Sequence, residues 1–253
     1  MTQYFSSAPV IEPPACGATL QRQGYAVLGA DGVSALSGCA AQALQSLRSA
    51  WSDLPPDNYL KDGGHYRRRR HACFVVKGDS VTQVPHRAHW QPLEYNALHG
   101  GMQRLFEPIL PEVIAQPAWA QLLVWLGTVC SGLKGMQPWF VEAHQFRIDT
   151  TDGIGRPTPE GAHRDGVDMV AVFLVNRHQI KGGETRVFDA AGPDGQRFTL
   201  AEPWSVLLLD DARVIHESTP IQPLVKQGVS PQDCFRDTLV VTLRAHSFQG
   251  DGI

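Results

Sequence analysis

The chain has 253 residues, long enough to bury a substantial core. Apolar residues make up 43% and charged residues 19%, ordinary globular values that exclude a disordered or collagen-like chain. A net charge of −3 gives no electrostatic reason to expect nucleic acid or an anionic membrane surface as a partner.

The first residues lack a cationic stretch followed by an apolar one, and the longest apolar runs (169–175 and 206–209) are far too short to span a bilayer. The expectation is a cytoplasmic protein with no membrane contact. Residues 24–28 read as a short strand. From 34 to 51, apolar side chains recur at Leu36, Cys39, Ala43, Leu44, Leu47 and Trp51, which predicts one continuous helix ended by Pro55 and Pro56. The run Arg67-Arg68-Arg69-Arg70 invites a nucleic-acid reading, but adjacent guanidiniums fan outward on any regular element. A solvated or ion-paired segment is the stronger expectation; a further reading has one arginine cap an active-site mouth and pair with a substrate carboxylate. A second helix is predicted from Pro117 to about Cys130, with Trp119, Leu122, Leu123, Leu126 and Val129 on one face.

After Gly135 the pattern changes to short apolar runs split by turn residues, with no convincing helix. Strands are predicted at 139–148, 167–175, 184–188, 196–200, 204–209, 214–217 and 238–243. A Gly/Pro-rich loop fills 149–161, and Gly192-Pro193-Asp194-Gly195 is a hairpin turn. The fold class this predicts is mainly β with flanking helices: a double-stranded β-helix, jelly-roll or cupin-like. One domain is expected, with a helical and irregular preface over about 1–134 and the β-helix core over about 135–246. Five scattered cysteines without a C-x-x-C pair read as reduced packing residues.

Within this half, Glu160-Gly161-Ala162-His163-Arg164-Asp165-Gly166 contains a His-x-Asp pair. On an extended strand, residues i and i+2 face the same way, so His163 and Asp165 could reach one metal ion. Asp168 is the alternative carboxylate. A distant second histidine would complete a facial triad that leaves open positions on Fe(II), and His216 follows the apolar segment 207–209 and a turn. Arg236 and Thr238 share a face by the same rule, offering a guanidinium and a hydroxyl to a carboxylate. Gln145 and Arg147 also share a face and are candidates for contact with a co-substrate or substrate carboxylate. His144 is a candidate fourth metal-site residue, although a structural histidine is the plainer reading.

The order His163-x-Asp165, His216, Arg236-x-Thr238 resembles the 2-oxoglutarate/Fe(II)-dependent dioxygenases. With Gly182-Gly183-Glu184-Thr185 and the segment 236–242, it resembles more narrowly the bacterial 2OG-Fe dioxygenases that include L-isoleucine 4-hydroxylase. The resemblance covers about 135–244 and is vaguer upstream, at Tyr66-Arg67 and Arg104-Leu105-Phe106. A departure is the long polar loop 222–233, which sets Arg236 twenty residues after His216. The resemblance implies that His163, Asp165 and His216 hold Fe(II), that Arg236 and Thr238 meet the far carboxylate of 2-oxoglutarate, and that dioxygen is the other co-substrate. It implies hydroxylation of a small substrate, a free aliphatic amino acid in the first place, with a peptide side chain or a nucleobase as other enzyme substrates. The competing class is a non-catalytic cupin-like protein that binds a small molecule or a metal.

Overall fold

The computed structural model describes residues 7–224 and 230–251. The first part carries α1 (Cys16–Gln23), β1 (Tyr25–Leu28), α2 (Ala30–Ser37), α3 (Ala41–Leu47), β2 (Arg67–Lys77), β3 (Ser80–Gln83), α4 (Pro111–Ile114) and α5 (Pro117–Lys134). The strands β4 (Trp139–Asp149), β5 (Met169–His178), β6 (Ile180–Gly182), β7 (Thr185–Asp189) and β8 (Gly195–Phe198) follow. The last are β9 (Val206–Asp210), β10 (Val214–Ser218), β11 (Ile221–Pro223) and β12 (Phe235–Ala245).

The continuous helix expected over 34–51 is broken. Gly38 takes φ +72, the left-handed conformation that closes a helix C-terminus, so α2 stops there and α3 begins three residues on. A short 3-10 turn, Arg48–Trp51, completes the segment. The apolar spacing was preserved across this break because both helices pack on the same core. α5 runs a turn longer than predicted, to Lys134. The arginine run is not a loose segment; it opens the eleven-residue strand β2. Alternation along that strand buries Arg67 and Arg69 and leaves Arg68 and Arg70 less covered.

Seven antiparallel strands form the major sheet in the order β1-β9-β5-β12-β4-β2-β3. A three-stranded sheet, β10-β7-β8, and the pair β11-β6 lie apart from it. One face of the major sheet (Phe74, Val141, Ala143, Phe173, Leu208, Leu239, Val241) shares a core with Leu20, Leu47, Trp119, Leu122 and Leu126 of the helices. The other face (Val27, Val170, Leu174, Leu207, Leu209) shares a second core with Val187, Phe198 and Val214 of the three-stranded sheet. This is the jelly-roll sandwich expected from the sequence, with helices on its outer face. All five cysteines are buried and free. Among the described residues, no helix is long and apolar enough to cross a membrane.

Trp51 ties the helical layer to the strand that carries the site. Its side chain is fully buried, its Nε1 donates to the Thr238 carbonyl (3.1 Å), and its ring meets Trp204 edge-on. Trp51→Ala removes a large apolar volume and leaves that carbonyl without its donor. A loss of about 3–5 kcal/mol is expected, read as a lower urea midpoint at unchanged m-value.

Candidate active site

Strand periodicity decides which side chains meet. Leu239, Val241 and Leu243 of β12 belong to the helix-side core, so Arg236, Thr238, Val240 and Thr242 face the opposite way, into a cavity. On β4, Val141 and Ala143 take the helix side, and His144, Phe146 and Ile148 line the cavity. On β2, Ala72, Phe74 and Val76 take the helix side while Arg67 and Arg69 line the cavity.

His163, Asp165 and His216 are brought together at this cavity. One ligand atom from each lies within 4.8 Å of the others. His163 Nε2 stands 3.9 Å from Asp165 Oδ1, and His216 Nε2 stands 3.8 Å from Asp165 Oδ2. The histidines come from opposite sides of an antiparallel bridge, exchanging backbone hydrogen bonds of 3.0 and 2.9 Å, which sets their rings 4.6 Å apart. His216 belongs to β10. The His163-x-Asp165 pair does not sit on a regular strand: β5 begins at Met169, not at 167, and the pair lies in the preceding loop. Asp211 supplies the order that strand pairing would have given. Its buried carboxylate accepts the backbone N–H groups of Asp165, Gly166 and Val167 at 3.0, 2.8 and 3.1 Å. Gly166, at φ +77, cannot carry a side chain there, since a Cβ would stand 2.4 Å from the Tyr95 ring.

These three residues fit a metal ion. His163 Nδ1 donates to the Gly161 carbonyl (2.9 Å), which leaves the lone pair on Nε2, beside Asp165. Burial pushes the Asp165 carboxyl up to about 6, a cost that a bound cation would remove. Gln91 Nε2 donates to Asp165 Oδ1 (3.2 Å) and fixes its orientation.

Arg236 and Thr238 line the same cavity. Arg236 is 4% exposed, and its buried Nε and Nη2 have no hydrogen-bond partner. Burial, with Arg177 nearby, lowers its pKa to about 10. A buried guanidinium with idle donors fits a carboxylate.

Gln145 and Arg147 are not part of this arrangement. Both occupy the opposite register of β4 and point to the helix side, where Arg147 makes a bidentate pair with Asp237 (2.7 and 2.8 Å) and stacks on Phe235. They shared a face as expected, but it is the face away from the cavity. Asp168 is also elsewhere, its carboxylate accepting the Ala245 N–H (2.8 Å) and so holding the end of β12. His144 stands away from the triad, in a second cluster with His71, His89 and Glu142.

Several cavity residues come from the preface, where the sequence offered only the vaguer upstream resemblance at Tyr66-Arg67 and Arg104-Leu105-Phe106 and the arginine run. Arg67 pairs with the buried Asp57 (2.7 Å). Arg69 donates to His144 Nδ1 (2.7 Å) and stacks 3.7 Å over Phe106. Arg104, 2% exposed, donates from Nη2 to Gln91 Oε1 (2.9 Å), and no carboxylate pairs with it among the described residues. The sequence signal was the alternation inside 67–71, which puts every second arginine on one sheet face.

Glu142 Oε2 accepts from His71 Nε2 (3.0 Å) and His89 Nδ1 (2.6 Å). Burial alone would raise the Glu142 carboxyl, yet the two rings beside it hold it well below the usual carboxylate range. Burial pushes His89 down to about 4 and lowers His71 and His144 as well. A histidine whose folded pKa lies below its unfolded value of about 6.5 binds fewer protons folded than unfolded between the two. Stability is then fully present above about pH 6.5 and is lost as pH falls toward about 4. Urea unfolding is expected to give a clearly lower midpoint at about pH 5 than at about pH 7. Ring-proton resonances of His89 that shift between pH 7 and pH 5 as those of a free imidazole do would contradict a neutral buried ring.

Residues 48–242 match the family model described as 2OG-Fe dioxygenase. Among solved structures, a BsmA homologue from Methylobium petroleophilum PM1 is 50% identical, with a TM-score of 0.90, covering 98% of this chain and 99% of that one. IDO from Bacillus thuringiensis aligns with a TM-score of 0.73 at 17% identity, over 93% of this chain and 100% of that one. The Fe(II)/α-ketoglutarate-dependent dioxygenase TqaL aligns with a TM-score of 0.70 at 18% identity, over 94% and 89%. At those identities the last two speak to the fold. No curated protein matches the chain.

Proposed function

The chain belongs to the 2OG-Fe dioxygenase family, and on that premise we propose that it hydroxylates a free amino acid or a similar small zwitterion. It is a 2-oxoglutarate-dependent dioxygenase, and Fe(II) and 2-oxoglutarate are its cofactors. In this reading His163, Asp165 and His216 hold the iron, and Arg236 with Thr238 holds the 5-carboxylate of 2-oxoglutarate. When bound, the iron supplies the dioxygen chemistry: one oxygen atom goes to a substrate C–H, the other to 2-oxoglutarate, which leaves as succinate and CO₂.

The protein's part is binding, orientation and exclusion of water. Gly161 fixes the tautomer of His163, Gln91 orients Asp165, and Asp211 holds the loop between them and β5. Phe146, Val172 and Val240 give the cavity an apolar wall suited to an aliphatic side chain.

The observation that carries the substrate class is Arg104. Asp57, Glu160 and Glu142 act on Arg104 only at longer range, and among the described residues none forms a direct ion pair with it; a buried guanidinium is costly unless an anion meets it. Arg236 answers to 2-oxoglutarate, so Arg104, in the same cavity, answers to a carboxylate on the substrate. The experiment is a screen of the twenty L-amino acids for substrate-stimulated succinate release with Fe(II) and 2-oxoglutarate. Stimulation by one or a few of them, with a matching gain of one oxygen atom, is expected. Uniform background rates across the set would overturn the amino-acid reading.

A further inference from the structure

His89 and Arg104 face each other across an isolated antiparallel bridge, exchanging backbone hydrogen bonds of 2.9 and 3.0 Å. Residues so paired have Cα atoms about 5.5 Å apart and side chains on the same side. Both side chains line the cavity that holds the triad. One is a guanidinium that makes no direct ion pair among the described residues, the carboxylates of Asp57, Glu160 and Glu142 acting on it at longer range. The other is an imidazole whose Nδ1 donates to Glu142, so that its remaining nitrogen, Nε2, carries a lone pair. An acceptor backed by a buried carboxylate thus lies beside a strong cationic donor.

We propose that His89 and Arg104 form a clamp for the α-amino and α-carboxylate groups of one substrate, Arg104 taking the carboxylate and His89 Nε2 the ammonium, with Glu142 as the negative charge behind the ring. This rests on the amino-acid reading above and deepens it, naming a paired recognition of both charged groups. An ammonium N–H donates to Nε2 while Nδ1–H donates to Glu142, so the ring passes the carboxylate's charge to the cavity wall. His71 Nε2 donates to the same Glu142 oxygen and keeps the carboxylate in place.

The same cluster of His71, His89, Glu142 and His144 has ligand atoms close enough for a metal ion. Arg69 argues for the clamp instead. Its Nη2 donates to His144 Nδ1, which puts the hydrogen of that neutral ring on Nε2, the nitrogen that would otherwise ligate. A guanidinium in contact with the cluster also opposes a second dication.

The test measures binding to the Fe(II)- and 2-oxoglutarate-loaded protein under nitrogen by calorimetry. The probes are whichever L-amino acids bind the wild type, each beside its des-amino acid and its decarboxylated amine. In the wild type, loss of either charged group is expected to weaken binding about 30-fold or more. In His89→Leu and in Glu142→Gln, loss of the ammonium should cost less than about threefold, while loss of the carboxylate keeps its full effect. In Arg104→Gln the pattern should reverse. The visible charge-transfer band of the loaded site, retained in each variant, shows that the triad and co-substrate site are intact; a variant that loses it is replaced by the other member of its pair. If an amino acid binds but both kinds of variant discriminate as the wild type does, the clamp is overturned and the amino-acid reading stands. If no L-amino acid binds the wild type, the reading beneath it fails as well. Two metal ions per chain, the second lost in Glu142→Gln, would assign the cluster to a metal and overturn the clamp.

Discussion

His163→Ala and Asp165→Ala are each expected to abolish Fe(II)-dependent succinate formation, a loss of more than about a thousandfold. Outer partners of metal ligands alone are worth about 10–100-fold in affinity or activity, and a ligand itself is worth more. Either variant leaves two of the three converging atoms, and the survivors cannot fix the orientation that a facial site needs. Gln91→Ala gives the graded comparison, because it removes only the 3.2 Å hydrogen bond to Asp165. Its iron affinity should fall by about 10–100-fold while turnover persists at saturating Fe(II). Iron content after gel filtration, beside the succinate rate, measures both effects. His163 and Asp165 lie in a loop, outside both cores, so the melting temperature should stay near that of the metal-free wild type. Full activity in either alanine variant would remove the metal assignment altogether.

Arg236→Leu is expected to raise the KM for 2-oxoglutarate by about 100–1,000-fold. Truncating one partner of a buried, hydrogen-bonded charge pair costs about 3–5 kcal/mol, and every 1.4 kcal/mol is a factor of ten. Leu keeps an apolar side chain at a position where the native group is 4% exposed, so the strand itself has no reason to come apart. Iron binding should be unchanged, since Arg236 is not among the converging ligand atoms. Titrating 2-oxoglutarate into the Fe(II)-loaded variant and following the charge-transfer band separates co-substrate binding from turnover. A KM within a few-fold of the wild-type value would mean that another cation holds the far carboxylate.

The architecture was legible because its signals are local. Runs such as 169–175 and 206–209, punctuated by glycine and proline, specify strands through side-chain alternation and turn chemistry. The misread helix over 34–51 and the overlooked strand β2 have one cause. Periodicity records which face is apolar, and it is silent about a left-handed residue such as Gly38 or about a buried face made of arginines. Likewise Gln145 and Arg147 share a face by any reading of the sequence, but which face meets the cavity depends on how the sheet packs. A two-residue period has only two answers, and here the apolar helices claimed the side those residues are on.

By itself, then, the sequence determined the longer strands after Gly135 and the His163, Asp165 and His216 set, because residue spacing and residue chemistry are written along the chain; the short strands β6 and β11 escaped it. Tertiary structure alone decided that His89, Gln91 and Arg104 of the preface line the same cavity, with Glu142 of β4 behind His89. Those contacts join residues 13 and 53 positions apart, with His89, Gln91 and Arg104 in a stretch without regular elements, where no period exists for a sequence pattern to carry. They arise from burial. Charged groups forced out of water must find partners across the fold, as Arg104 does at Gln91 and His89 at Glu142.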